Sequence, residues 1–600
     1  NDTPTTAIYT LSLHDALPTC RTGLLKVKLY PPPSPVFFND RDMTLPDFRM
    51  GEAVDTWGAV VIVNADSRPL QQAAILASID NQAPVSTPVP LIQPYSVKKV
   101  PFKLGSAAPV PGQEANIVLR LLPQQNRFQV NSVACRIPNR KPDETYKRTF
   151  ISEIDGSVQY YAVNPARDGD RPAALVLSVH GAGVEAINQV NAYSSKSWAH
   201  IVAPTNRRPY GFNWEDWGRQ DALEVLELVQ KKLSIDTERI YLTGHSMGGH
   251  GVWILGALYP DRFAVLGPSA GWLSFWTYRV REEIGEETAI QEMMKRVNQP
   301  SKTLDLVQNY KDLGLYILHG DQDDNVLVTQ SRQMVERLQP FHRDYVYHEE
   351  PGAGHWWDNS AEPGADCVDW PPLFDFMARH CRPLARRLRI ASFCTPHPGI
   401  SSHYYWLGLE AQEKQLALSS AQIEWDPGRS LFFGQSSNVA RLSLDLSICP
   451  EARSVSVHLD SQMLTDVPAA KKLFLEKKNG RWALAAPPSP SMKGPHRYGT
   501  FKDAFRHRMI FVYGTAGSRA ENEWAFQKAR YDAEQFWYQG NGSVDVVSDR
   551  QWQPASEPDR KVILYGNADS NRLWQVLLAD SPVQVRDRKS TRLNSSHRIR

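Results

Sequence analysis

No stretch of this 600-residue sequence reaches the roughly 18 uninterrupted apolar residues of a membrane-crossing helix, so an integral helical membrane protein is excluded. Charge of one sign is also missing. The 67 Lys and Arg stand against 65 Asp and Glu, a formal +2, and no basic face marks a nucleic-acid binder. Cysteine is scarce: six residues (Cys20, Cys135, Cys367, Cys381, Cys394, Cys449) without CxxC spacing exclude a disulfide scaffold. Cys367, Cys381 and Cys394 lie close enough in sequence for one bridge, yet buried free thiols are the expectation. The sequence has no HExxH, no cysteine-histidine zinc spacing, no phosphate-binding glycine loop and no dinucleotide fingerprint. No metal and no cofactor is therefore expected. A repeat of about 40 residues is absent as well, which excludes a propeller upstream of the central region.

Both ends differ from the rest. Residues 1–20, with TLSLHDALPT, and 587–600, with RKSTRLNSSH, resemble translated sequencing-adapter sequence, and the first residue is Asn1 rather than Met. They are set aside from fold reasoning. The head carries Asp2 and Asp15, and the tail carries five basic residues against Asp587. The residues between them are neutral, so the basic excess says nothing about partners. The native N-terminus is expected to be missing, and a secreted or periplasmic location is the working expectation.

What remains is globular in composition, 42% apolar and 22% charged. Residues 38–145 hold short β-prone runs (TWGAVVIV, SVKKVPFKL, ANIVLRLL) between Pro, Gly and Asn, the pattern of a β-sandwich. Between 146 and 390, buried runs such as ALVLSVH, RIYLTG and LGLYILHG alternate with amphipathic helices such as DALEVLELVQKKL. That alternation predicts a mostly parallel sheet covered on both faces. Residues 391–485 return to β character, Ala485 to Pro495 read as a proline-rich linker, and 496–586 form a small α/β unit.

The chemistry lies in four motifs. Gly244-His245-Ser246-Met247-Gly248 falls between a β-branched strand and a helix, the context of a nucleophile elbow. A second GxSxG, at Gly267 to Gly271, lacks the small-residue helix start that follows Ser246, and Ser269 is expected to be a loop residue near the pocket. A nucleophilic serine requires a base, and the base an orienting carboxylate. Asp323, in HGDQDDNV after a strand, is the expected acid; Asp321 and Asp324 are rivals that turn formation or helix capping explains equally well. His355, in the glycine-flanked GAGHWW, is the expected general base, since His348 lies inside a strand. The turn His180-Gly181-Ala182-Gly183 can offer a backbone N–H to an oxyanion, from Ala182 or Gly181, with Met247 supplying the second. His180 is expected to prop that turn.

These four motifs, in this order, resemble the catalytic domain of the prolyl oligopeptidase-like branch of α/β-hydrolases, a branch that includes feruloyl-esterase-like enzymes. The resemblance spans roughly residues 150–385. It implies an α/β-hydrolase fold for those residues, and acyl-enzyme chemistry with Ser246, Asp323 and His355; the flanking N-terminal β-sandwich-like domain and C-terminal β and α/β domains, expected from pattern alone, are not explained by it. Without a propeller, ester hydrolysis is expected over peptide hydrolysis. The alternatives are a serine peptidase of prolyl-oligopeptidase type and a catalytically inactive multi-domain binding protein. The expected partner is a small-molecule or polysaccharide-linked ester, with no nucleic acid and no membrane span.

Aromatic residues cluster in segments expected to rim the pocket: Tyr210, Phe212, Trp214 and Trp217, then Trp272 and Trp276, then Trp356 and Trp357. Tyr210, Trp214, Trp272 and Trp356 are the candidate substrate contacts, because flat rings suit aromatic acyl groups or sugar faces. Arg207 and Arg208 could grip a substrate carboxylate in bidentate fashion, but pairing with Glu215, Asp216 or Asp221 is the expectation.

Overall fold

The computed structural model describes residues 34–122, 131–167, 172–278, 288–499, 501–581 and 584–585. The adapter-like ends lie outside these residues, as does the side chain of Trp276. The central region is an eight-stranded sheet whose strands are β1 (Tyr146–Ile151), β2 (Val158–Asn164), β3 (Ala173–Val179), β4 (Ala199–Ala203), β5 (Ile235–His245), β6 (Val265–Ser269), β7 (Gly314–Gly320) and β8 (Tyr345–Glu350). Their spatial order is β8-β7-β6-β5-β3-β4-β2-β1. The strands β3 to β8 run parallel, while β2 is antiparallel to both of its neighbours. Every residue of β3 and β7 is buried, which explains their unbroken apolar runs: helices cover both faces.

Helix α1 (Asp216–Lys232) buries Ala222, Val225, Leu226 and Val229 at helical spacing against the sheet. Helix α2 (Met247–Leu258) is buried on every side, which its apolar, glycine-rich sequence permits. The chain reverses order between β3 and β5, with β4 placed outside β3, so the loops after β3 and β5 open a crevice at the carboxyl ends of the strands.

Upstream, a three-stranded sheet (Val36–Thr44, Val54–Asn64, Ser96–Ser106) faces a five-stranded one. Val60, Ile62, Phe102, Ile75, Ile117 and Leu119 fill the space between them. Downstream of the central region, two five-stranded sheets enclose Phe393, Trp406, Trp425 and Phe432. The last unit is a three-stranded parallel sheet centred on Met509–Tyr513, packed by helix α3 (Arg519–Gly540). Its apolar core is shared with the central region, since Trp217 lies among Phe511, Ala529 and Val546. The five described cysteines are free thiols; Cys367 and Cys394 are buried as expected, whereas Cys381 is exposed.

Candidate active site

The turn at Ser246 is tight and strained. Ser246 has φ 60° and ψ −118°, a backbone conformation that few non-glycine residues adopt. Glycines make this possible. A Cβ on Gly248 would lie 1.9 Å from the carbonyl oxygen of Val179, one on Gly244 2.5 Å from the same atom, and one on Gly249 2.4 Å from the Ser269 carbonyl. The Ser246 N–H donates to the Ser269 carbonyl at 2.9 Å, tying the elbow to the neighbouring strand.

Three side chains distant in sequence meet here. The Ser246 Oγ lies 2.8 Å from His355 Nε2, and His355 Nδ1 lies 2.7 Å from Asp323 Oδ2. Since Nδ1 faces a carboxylate, the ring hydrogen sits there, and Nε2 is left to accept the serine hydroxyl. Asp323 is buried and receives four donors: Oδ1 accepts the amides of Asn325 and Val326, each at 2.9 Å, and Oδ2 faces His355 and, at 3.2 Å, His319 Nε2. Burial pushes its pKa up, but the hydrogen bonds from His319 and His355 outweigh that and hold it well below the usual carboxylate range.

The rivals have other employment. Asp321 Oδ1 accepts the Gly352 amide at 2.7 Å and thereby braces the acid turn against the histidine loop. Asp324 is exposed. His348 pairs with Glu350 at 2.8 Å, and the buried Ser269 donates its hydroxyl to the Cys367 carbonyl at 2.8 Å.

The turn after β3 lies over the serine: a Cβ on Gly181 would fall 3.7 Å from that of Ser246. Its Gly183 amide donates to the Pro209 carbonyl at 3.0 Å and its Val184 amide to that of Gly181 at 3.3 Å. The amides of Gly181 and Ala182 are then left without an acceptor in the chain among the described residues. Met247 begins helix α2, so its N–H has no partner one turn back. His180 is buried beneath the turn, with Nε2 3.0 Å from the Thr205 carbonyl oxygen.

Among the aromatic residues the structure separates rim from interior. Tyr210 (63% exposed) stands against Gly183, and Trp356 (56% exposed) stands edge-on to His245. Trp214, expected at the rim, is fully buried: its ring packs edge-on to His180, its Nε1–H donates to the His180 carbonyl at 3.0 Å, and Gly251 leaves space for it. Trp272 is only 5% exposed, stacked between His250 and Tyr278. Trp217 is buried too: it donates to the Phe505 carbonyl and packs on Phe536. The arginines also differ from expectation. Arg207 pairs with Asp155 and Arg208 with Asp42, while Asp221 accepts from Thr205.

Two histidines escaped the sequence reading. His319 is buried beside the acid turn, 3.2 Å from Asp323 Oδ2. His245 precedes the serine; its Nε2–H donates to the His355 carbonyl at 2.7 Å, and the two rings lie 4.9 Å apart. Burial, together with the nearby His355, pushes the His245 pKa down to about 3. Its place inside the GHSMGG motif was the available signal.

Among the described residues no helix is long and apolar enough to cross a membrane. Comparison with known proteins gives matches over part of the chain. An uncharacterized secreted protein of Arthroderma benhamiae is 30% identical over 240 residues, 36% of this chain and 26% of that protein. The uncharacterized peptidase YuxL of Bacillus subtilis is 24% identical over 243 residues, 36% of either chain. The chain therefore spans only about a quarter to a third of the length of these relatives. A solved ferulic acid esterase of Anaeromyces mucronatus is 18% identical, covering 36% of this chain and 85% of its own, with a TM-score of 0.27. Residues 207–381 match the prolyl oligopeptidase family, on the α/β-hydrolase fold that the central sheet forms.

Proposed function

We propose that the protein is a serine hydrolase that cleaves carboxylic esters through a covalent acyl-enzyme. The observation that carries this reading is the His355 imidazole bridging Ser246 Oγ and Asp323 Oδ2 at 2.8 and 2.7 Å. Ser246 Oγ attacks the ester carbonyl carbon while its proton passes to His355 Nε2. Asp323 keeps the Nδ1 hydrogen in place and stabilises the imidazolium. The amides of Met247 and Ala182 receive the oxyanion. Collapse of the tetrahedral intermediate breaks the bond to the alcohol, which leaves with the proton from His355. Water then deacylates Ser246 by the same steps in reverse, with His355 again the base.

The exposed rings of Tyr210 and Trp356 support esters with a flat group, feruloyl or carbohydrate-linked, as substrates. The secreted name of the Arthroderma relative supports a location outside the cytoplasm. A peptidase reading rests on the family match; against it, the described flanking residues form sandwiches and a parallel sheet rather than a ring of blades around an entrance.

The test compares p-nitrophenyl and methyl hydroxycinnamate esters with prolyl and alanyl amides, using wild type and Ser246→Ala. Ester turnover and fluorophosphonate labelling that both vanish in Ser246→Ala are expected. Turnover that survives in the variant overturns the proposal, and amide cleavage as fast as ester cleavage reverses the choice of bond.

A further inference from the structure

The turn that offers the oxyanion amides rests on a segment that is itself anchored from outside the central region. Its Gly183 amide donates to the Pro209 carbonyl, so the position of Ala182 depends on where the segment Asn206 to Tyr210 lies. That segment is strained. Asn206 and Arg207 are consecutive non-glycine residues at φ 52° and 68°, and a Cβ on Gly211 would lie 1.8 Å from the Asn206 carbonyl oxygen. Arg207 anchors one side: both it and Asp155 are fully buried, 2.7 Å apart, and its Nε–H donates to the carbonyl of Gly540 at the end of α3.

Arg208 anchors the other. Its two terminal nitrogens grip the Asp42 carboxylate at 2.9 and 2.6 Å, a fork on a fork, and one also donates to the Trp537 carbonyl at 3.1 Å. Asp42 lies where the register of strand Val36–Thr44 breaks against its neighbour, a bulge that re-aims a side chain. It is itself fixed by Lys99 at 3.0 Å and by the indole N–H of Trp537 at 2.9 Å. Burial pushes the Asp42 pKa up, but Arg208 and Lys99 outweigh it and keep the group ionised.

We propose that Arg208 is a positioning residue for the oxyanion turn, and that Asp42 of the upstream sandwich and Trp537 of helix α3 complete the active site by holding it. The inference rests on the ester-hydrolase reading and deepens it: the flanking units fix the geometry of the amide that receives negative charge. A relaxed turn still admits substrate but meets the transition state poorly, so the loss falls on kcat rather than on KM.

The test uses the full chain, with Arg208→Met, Asp42→Asn and Trp537→Phe. Steady-state hydrolysis of p-nitrophenyl butyrate is measured beside inhibition by a trifluoromethyl ketone, whose adduct places an oxyanion between the same amides. Expected is a fall in kcat of tenfold or more, short of the ~10²–10³ for deleting a hole donor outright. KM should stay within twofold, and inhibitor affinity should weaken by the factor lost in kcat/KM. Arg208→Lys keeps the charge without the fork and should restore little. Lys98→Met, which breaks the ion pair to Asp545 in the same junction, should leave kcat and inhibitor affinity at wild-type values. Wild-type kinetics in Asp42→Asn and Arg208→Met, or an equal loss in Lys98→Met, overturns the inference. Should Arg208→Met not fold, the isosteric Asp42→Asn decides. A wild-type chain that neither turns over esters nor binds the ketone overturns the ester-hydrolase reading instead.

Discussion

His319 and His355 approach the same oxygen of Asp323, at 3.2 and 2.7 Å. His319 is fully buried. Its Nε2 also faces the Val326 carbonyl oxygen at 2.7 Å, which puts the ring hydrogen on Nε2 and leaves Nδ1 to accept the Ser331 hydroxyl, 2.7 Å away. The acid turn is therefore fastened from behind as well as from the side of the base. Asp323→Asn retains the shape but loses control of the histidine tautomer, and kcat should fall by ~10⁴. Asp321→Asn and Asp324→Asn should keep kcat near wild type. His319→Gln should lower kcat without raising KM. Steady-state kinetics on one ester checks all four, and a harmless Asp323→Asn would remove this carboxylate from the mechanism.

Gly248→Ala forces a methyl group to within 1.9 Å of a backbone oxygen on β3, where no flexible side chain can give way. The elbow must open or the strand must shift, at a cost of ~1–3 kcal/mol or more. Denaturant midpoints should fall accordingly, and activity should drop further than stability because Ser246 and the Met247 amide move with the turn. A variant of unchanged midpoint would mean that helix α2 can slide.

The buried His245 gives stability a particular pH dependence. Its folded pKa of about 3 lies below the ordinary 6.5, so between those values the unfolded chain binds a proton that the folded one refuses. Its contribution is complete above pH 6.5 and is lost as pH falls toward 3. In His245→Gln the rise of melting temperature with pH across this window should be shallower than in wild type. Parallel curves would show that folded His245 accepts its proton.

Exposure distinguishes the tryptophans. Trp356→Ala and Tyr210→Ala remove rim surface and should raise KM for hydroxycinnamate esters with little change in melting temperature. Trp214→Ala empties a fully buried site and should cost ~3–5 kcal/mol of stability. Thermal denaturation beside KM separates the two classes; a higher KM at an intact melting temperature in Trp214→Ala would return that ring to the substrate.

The elbow was readable because its requirements are local: a strand, two glycines and a helix start within a few residues dictate the turn at Ser246. The positions of Asp323 and His355 followed from strand ends, since a parallel sheet brings successive carboxyl ends to one edge. Burial of Trp214 and Trp272 was not readable, because an aromatic cluster in sequence does not say which ring turns inward. Nor were the partners of the paired arginines. Nearby acids were the natural guess for Arg207 and Arg208, yet Asp42 lies 166 residues from Arg208 and Gly540 lies 333 from Arg207. Only the assembled fold brings such groups together.

The upstream sandwich and the downstream parallel unit are joined directly: Lys98 reaches Asp545 at 2.8 Å, and the Gln93 amide donates to the Val546 carbonyl at 2.7 Å. During synthesis the surface around Gln93 and Lys98 thus stays in water until residues 544–546 have emerged from the ribosome. A nascent chain halted before residue 509 would lack the groups that Lys98 and Gln93 reach and would present that junction uncovered.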